Sequence, residues 1–310
     1  MPITVRHSEL RDYRQCALKH HIRWTQGWRA QQDSEKSRLG TAWHMVLETH
    51  HGEVWSQQQG LGYRMWRLGH ADPSVTCKPL DAAVDTLFDD LADGFEVGGG
   101  PLSAEQVETL RWMYEGYRAQ FGFDPDWEIV AIENTLTAQL GDLPGAKISK
   151  PVLLNTHEDL VVRDWSMGGR YVVIDHKSTA RPLYQREIDL DDQFGLYQWA
   201  RVSTGWDVLA VICNQAKTDK LKRPMTLEER FNRVYSTRTK AELNAIRQDA
   251  LDTVTAMQSG LLYSNPNPRD CGWSCEFMDA HISIRKDRRG LDALPSILTA
   301  RGFTQDRTDG

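Results

Sequence analysis

Residues 159–177, DLVVRDWSMGGRYVVIDHK, decide the fold of this chain. The runs at 160–162 and 171–174 are apolar and rich in β-branched residues, which favours strands. The segment between them holds aspartate, serine and two adjacent glycines, which are typical of turns. The stretch therefore predicts a β-hairpin.

The charged residues of this hairpin lie where its apolar runs stop. Side chains of a strand alternate between two faces, so Asp175 and Lys177 share one face. Folding the hairpin about its central turn places Asp159 opposite Ile174 or Asp175. Two opposed carboxylates repel each other unless a cation lies between them, and Mg²⁺ or Mn²⁺ suits such oxygen ligands. The spacing indicates a metal centre in which Lys177 orients water or stabilises charge on a phosphate. A surface Asp–Lys pair at a strand end is the plainer alternative.

The rest of the chain has a mostly helical first part and a mixed remainder. Strands are expected at 127–133, 208–214 and 231–234, and helices from Ser8 past Cys16, from near Gly40, and at 80–93, 103–120, 191–201 and 241–257. This order predicts an α/β fold, with a mixed central sheet flanked by helices and a C-terminal extension that contains cysteines. No linker is evident, so residues 1–310 are expected to form a single domain with a helical insertion at about 55–125.

Composition narrows the class of protein. The chain has 310 residues, a net charge of −6 and 40 % hydrophobic residues. These values allow a sizeable core but argue against a protein that coats nucleic acid through bulk charge. No apolar run approaches the roughly 20 residues that a membrane helix needs. The N-terminus lacks an apolar signal core, so a cytoplasmic protein without membrane association is expected. The odd count of five cysteines argues against a disulfide framework.

The hairpin and its charged ends resemble the PD-(D/E)XK nuclease superfamily. More narrowly they resemble its RecB/Cas4-like exonuclease branch, which occurs in bacteria, CRISPR systems and phages, so a phage-encoded protein is one origin that the resemblance allows. The likeness covers about residues 8–281 and implies a restriction-endonuclease-like core. The family usually has a glycine shortly before the hairpin aspartate, whereas this chain reads NTHED at 155–159. Glu158 is thus an alternative ligand, and Asp159 matches better because it directly precedes the Leu-Val-Val run.

Further residues match motifs of this branch in the same order. Gly40-Thr41-Ala42-Trp43-His44 resembles its early helix motif, which implies that His44 is a metal ligand. Glu133 occupies the place of an assisting acidic residue on the first strand, which implies a second metal ligand. Gln193 and Tyr197 match the Gln-x-x-x-Tyr motif on the helix after the active strand, and the resemblance implies that both belong to the catalytic centre. Each of these residues also has a plainer interpretation. His44 would be a core histidine, Glu133 a surface residue of a strand, and Gln193 and Tyr197 part of a packed helix face.

Three cysteines also match this branch. Many of its members hold a [4Fe–4S] cluster through one N-terminal cysteine and three near the C-terminus. The resemblance implies that Cys16, Cys271 and Cys275 are three of these ligands, and His281 stands where the last cysteine is expected. Three thiolates and one imidazole suit either an iron–sulfur cluster or structural Zn²⁺. Such a site would clamp residue 16 to the segment at about 265–285. The alternative is that the three cysteines are buried or surface thiols that bind no metal.

The resemblance implies a Mg²⁺- or Mn²⁺-dependent deoxyribonuclease. It favours an exonuclease that acts at DNA ends or on single strands in recombination, repair or DNA processing. A structure-specific endonuclease or nickase shares this chemistry and is one alternative. A non-catalytic DNA-binding partner protein that keeps the nuclease fold is another. The expected partner is linear or single-stranded DNA, with a recombination protein or a second copy of the chain as further candidates.

Overall fold

A computed structural model describes residues 1–31, 34–59, 82–219 and 224–305, with the backbone alone at 270, 273 and 274. Its strands are β1 (Ile3–Arg6), β2 (Trp28–Ala30), β3 (Glu96–Val97), β4 (Gly100–Pro101), β5 (Trp127–Asp142), β6 (Pro151–Asp164), β7 (Arg170–Thr179), β8 (Val208–Lys217), β9 (Phe231–Ser236) and β10 (Phe303–Gln305). Its α-helices are α1 (His7–Gln15), α2 (Ala17–His20), α3 (Glu35–Gln58), α4 (Ala82–Ala92), α5 (Ala104–Phe121), α6 (Gln185–Leu190), α7 (Asp192–Ser203), α8 (Leu227–Arg230), α9 (Lys240–Gln258), α10 (Pro268–Ser274), α11 (Met278–Lys286) and α12 (Leu294–Ala300).

These elements form two compact units. The larger unit comprises Ser34–Ala138 and Thr156–Ile246. The smaller unit comprises Met1–Asp33, Gln139–Asn155 and Arg247–Gly310. Strands β5 and β6 and helix α9 contribute residues to both units. The single nuclease domain that the sequence predicts therefore stays a prediction.

The larger unit is built on a mixed sheet in the order β6–β7–β8–β9, with β5 also paired to β6. Strands β6 and β7 are antiparallel, β7 and β8 parallel, and β8 and β9 antiparallel. Helices α3, α5 and α7 belong to the same unit. This arrangement confirms the predicted α/β class, with a mixed central sheet flanked by helices.

The predicted hairpin is present as β6 and β7. The two strands pair Leu160 with Ile174 and Val162 with Val172, which is the register expected to set Asp159 opposite Asp175 rather than Ile174. A 3₁₀ turn joins the strands and ends at glycine 168 with a φ of +72°, which a residue without Cβ adopts freely. The register is the second of the two that the sequence allows.

Alternate residues of the hairpin enter two different apolar cores, as strand periodicity requires. One core contains Leu160, Val162, Val172, Ile174 and Ile212. The other contains Val161, Val173, Val211, Phe194 and Tyr197. Both faces of the hairpin are therefore buried, and its charged ends are fixed by packing on either side.

Two helix boundaries differ from those expected. Helix α3 begins at Glu35 rather than near Gly40, because the Ser34 side chain accepts a hydrogen bond from the Ser37 backbone at 3.2 Å and caps it. Helix α1 begins at His7, so Ser8 is not its cap, and it ends before Cys16 because Cys16 is extended, with a φ of −166°. The predicted insertion at 55–125 contains α4, α5 and the short pair β3–β4. Its residues 60–81 lie outside the described part.

The smaller unit joins segments from both ends of the chain. Strand β1 pairs in parallel with the first part of β6, and β2 pairs with β10 in antiparallel fashion. Its apolar core contains Leu18, Ile22, Trp28, Phe277, Ala280, Ile284, Leu294 and Leu298. Within the residues that the structure describes, no helix has the length and apolarity needed to span a membrane.

Candidate active site

The larger unit contains all seven residues that the sequence places in the reaction centre. They are His44 on α3, Glu133 on β5, Asp159 on β6, Asp175 and Lys177 on β7, and Gln193 and Tyr197 on α7. They form two adjoining groups.

The first group is a set of possible metal ligands. One ligand atom each of His44, Glu133 and Asp159 lies within 4.8 Å of the other two. His44 Nδ1 is 3.4 Å from Asp159 Oδ2, and the same oxygen accepts the His176 backbone N–H at 2.6 Å. One imidazole and two carboxylates form a donor set that suits a divalent cation such as Mn²⁺ or Mg²⁺.

The second group is a buried polar network. Lys177 Nζ lies 2.7 Å from Asp175 Oδ2, and Asp175 is only 2 % exposed. Gln193 Nε2 lies 2.8 Å from both Asp175 Oδ1 and the Tyr197 hydroxyl, and Lys177 Nζ donates to Gln193 Oε1 at 3.4 Å. Asp175 is not one of the three converging ligands, and its role as a metal ligand stays a prediction.

The electrostatics of the two groups are linked. Burial raises the pKa of Asp159, but the hydrogen bond and charge of His44 outweigh it, and the pKa falls to about 2. Burial raises the pKa of Asp175 to about 6, against the opposing effect of Lys177. Burial and the Asp159 charge raise the pKa of Glu133. Burial lowers the pKa of Lys177, but the Asp175 carboxylate outweighs it and the pKa rises. The negative charge of Asp159 thus contributes to the raised pKa values of both Glu133 and Asp175.

The contacts of His157 and Glu158, which precede Asp159 on β6, do not follow from the sequence. His157 Nε2 lies 2.5 Å from Glu133 Oε2, and its side chain is 59 % exposed. Glu158, the alternative ligand, is fully buried and contacts Arg201 and Asn134 instead of the three converging ligands. No local signal identifies these partners, because they come from distant parts of the chain.

The predicted cysteine clamp falls in the smaller unit. Cys16, Cys271, Cys275 and His281 all line one cavity of about 400 Å³. Burial raises the pKa of the Cys275 thiol, and the neighbouring Cys271 and Cys16 raise it further. Three thiols and an imidazole around one cavity form a donor set that fits an iron–sulfur cluster or Zn²⁺.

Comparison with known proteins identifies the family. The family profile of the PD-(D/E)XK nuclease superfamily matches residues 4–280. The chain belongs to this superfamily. A PD-(D/E)XK protein is a nuclease, its family implies DNA as the substrate, and such nucleases usually use divalent metals.

Other comparisons add little to the PD-(D/E)XK assignment. No curated protein matches the chain. The crystal structure of SSO0001 is 10 % identical, with a TM-score of 0.33, over 89 % of this chain and 85 % of that one. A candidate exonuclease from Eubacterium rectale is 12 % identical, with a TM-score of 0.37, over 63 % of this chain and 74 % of that one. At such TM-scores neither likeness carries an argument, so the assignment rests on the family profile.

Proposed function

We propose that this PD-(D/E)XK nuclease hydrolyses phosphodiester bonds at DNA ends with the help of Mg²⁺ or Mn²⁺. The observation that carries the proposal is the convergence of ligand atoms from His44, Glu133 and Asp159 to within 4.8 Å, in the same unit as the buried Asp175–Lys177 pair. Glu133 and Asp159 supply two carboxylates beside one imidazole, a donor set that favours a divalent cation. A divalent ion held by His44, Glu133 and Asp159 would polarise the phosphodiester and activate water for attack.

The other residues supply positioning and charge. Lys177 carries a positive charge at neutral pH, because Asp175 keeps its pKa high. Its ammonium is suited to stabilise the negative charge that develops on the scissile phosphate. Gln193 fixes Asp175, and the Tyr197 hydroxyl fixes Gln193. This network holds the lysine in one place, so little reorganisation is needed when a phosphate arrives.

Exonuclease action follows from the resemblance to the RecB/Cas4-like branch. It is tested by incubating the purified protein and Mn²⁺ with two single-stranded DNAs of the same sequence, one linear and end-labelled and one circular. Cleavage of the linear strand alone is expected. Cleavage of circles would replace the exonuclease with an endonuclease. Binding without any cleavage would overturn the proposed enzyme and leave a DNA-binding protein with a nuclease fold.

We also propose that Cys16, Cys271, Cys275 and His281 hold a structural metal group, an iron–sulfur cluster or Zn²⁺. Support comes from their common cavity, which brings residue 16 to the C-terminal segment. Protein purified without oxygen is expected to absorb near 400 nm and contain iron, or to be colourless and contain zinc. Neither metal at stoichiometric amount would contradict the clamp, and it would leave the nuclease centre untouched.

A further inference from the structure

Glu133 has a backbone conformation that its residue type rarely adopts. Its φ is +46°, in the left-handed region, although it lies inside strand β5. A residue with a Cβ is strained there, so neighbouring contacts must hold it in place. Such strain is concentrated at functional sites, and Glu133 is one of the three converging ligands.

The next residue, Asn134, connects this strained position to a buried ion pair. Asn134 Nδ2 donates to Glu158 Oε2 at 3.2 Å. Arg201 Nε in turn lies 3.1 and 2.9 Å from the two Glu158 oxygens, and its Nη2 donates to Oε2. Glu158 is fully buried and Arg201 is 3 % exposed. A guanidinium fork holds a carboxylate in a defined orientation, so Asn134 has a fixed acceptor.

Strands β5 and β6 each contribute one residue to the network around the ion pair and the adjacent residue to the metal group. On β6, Glu158 contacts Arg201 while the adjacent Asp159 contacts His44. On β5, Asn134 contacts Glu158 while the adjacent Glu133 belongs to the metal group. The extended neighbours His157 and Glu158 of β6 point to opposite faces, and on β5 Glu133 contacts His157 while Asn134 contacts Glu158. Anchoring Asn134 on one face therefore fixes the direction of Glu133 on the other.

We propose that Asn134, Glu158 and Arg201 are positioning residues that hold Glu133 in its left-handed conformation, with its carboxylate directed at His44 and Asp159. This inference rests on the proposed function, because it takes the group of His44, Glu133 and Asp159 to be the cation site. None of the three positioning residues is expected to contact the cation or the DNA. Their effect is on metal affinity, because loss of a residue that orients a ligand typically weakens metal binding by about 10- to 100-fold.

The experiment measures Mn²⁺ affinity by titration calorimetry, without DNA. Asn134→Ala breaks the link to Glu158 and leaves the buried ion pair intact, and it is expected to raise the Kd for Mn²⁺ at least about tenfold. Arg201→Lys keeps the buried charge but loses the fork, so a smaller rise is expected. Val130→Thr changes an exposed residue of the same strand and serves as the control, with an unchanged Kd. Circular dichroism and the unfolding midpoint establish that each variant is folded.

A fourth variant, Glu133→Gln, separates this inference from the proposed function. If Glu133→Gln weakens Mn²⁺ binding while folded Asn134→Ala binds within twofold of the wild type, the positioning network is wrong and the metal site stands. If Glu133→Gln itself binds Mn²⁺ as the wild type does, the ligand assignment fails, and both proposals fall with it.

Discussion

At the scale of single residues, the clearest prediction concerns Lys177. Its ammonium is held by Asp175 and Gln193 and lies beside a cluster of carboxylates. Lys177→Met keeps most of the side-chain volume but removes the charge that would meet the phosphate. We expect DNA cleavage to fall by about 10²- to 10³-fold, the cost of removing one charge-stabilising donor. Cleavage rates at saturating Mn²⁺ measure this effect.

The matched control for Lys177 is Lys240→Met, which removes an exposed lysine at the start of α9. It is expected to cleave DNA at the wild-type rate. Calorimetric Mn²⁺ binding should persist in both variants, since the lysine is not a ligand. Wild-type activity in Lys177→Met would show that the reaction centre lies elsewhere.

Tyr197 provides a finer test of the same network. Tyr197→Phe removes only the hydroxyl that contacts Gln193 at 2.8 Å, while Gln193 keeps its contact with Asp175. One neutral hydrogen bond contributes about 1 kcal/mol, so a decrease in kcat of about fivefold is expected. Tyr235→Phe, at a tyrosine that is 39 % exposed, is the control. If the two variants cleave equally fast, Tyr197 acts through packing alone.

At the scale of elements, the sequence predicts the structural features that depend on residues close together in the chain. The hairpin of β6 and β7 follows from its two apolar runs and the turn residues between them, which leave two possible registers; the structure has the second. The partners of Glu158 do not follow, because Arg201 is 43 residues away and meets it only when α7 packs against the sheet. The left-handed conformation of Glu133 is equally hidden, since nothing in the sequence marks a bend inside a strand. The network that orients the centre is thus visible only in the fold.

Helix α3 is expected to make the stability of the folded protein depend on pH. It carries His50 and His51, which are 0 % and 2 % exposed. Burial lowers the pKa of His51 to about 4 and that of His50 well below its ordinary value of 6.5. Unfolded chains bind these protons below pH 6.5 while the folded protein excludes them. The stabilisation is therefore complete above pH 6.5 and is lost as the pH falls toward 4, at up to about 1.4 kcal/mol per pH unit for each histidine.

Denaturant unfolding between pH 8 and pH 4.5 measures this dependence. His51→Phe keeps an aromatic ring against His176, on which His51 stacks with centroids 5.3 Å apart, but it cannot bind a proton. Its free energy of unfolding should fall less steeply than that of the wild type below pH 6.5. Near pH 8 the free energy of unfolding should change with pH to the same extent in the wild type and in His51→Phe. Equal slopes throughout the acid range would mean that His51 is protonated in the folded protein.

At the scale of the whole molecule, the two candidate sites lie in different units. The candidate reaction centre lies entirely in the larger unit, and the cysteine cavity lies entirely in the smaller one. The smaller unit combines the N-terminal helices with the C-terminal segment, so it closes a long loop of chain. Two contributions can hold these ends together, namely the proposed metal group and the apolar core around Phe277.

We expect the apolar core to be the larger of these contributions to folding. Phe277 is 1 % exposed, packs with Leu18 and Leu294, and has its ring centroid 5.2 Å from that of Phe303. Phe277→Ala should lower the free energy of unfolding by about 3–5 kcal/mol, the usual cost of such a cavity.

Chelation, or the variant Cys275→Ser, should remove bound metal but leave the unit folded. Hydrogen exchange of the amides in α2, α11 and α12 measures both effects, because Phe277→Ala should reduce their protection and chelation should not. If chelation alone exposed these amides, the metal group would be the main source of stability, as in small domains that fold only around a metal.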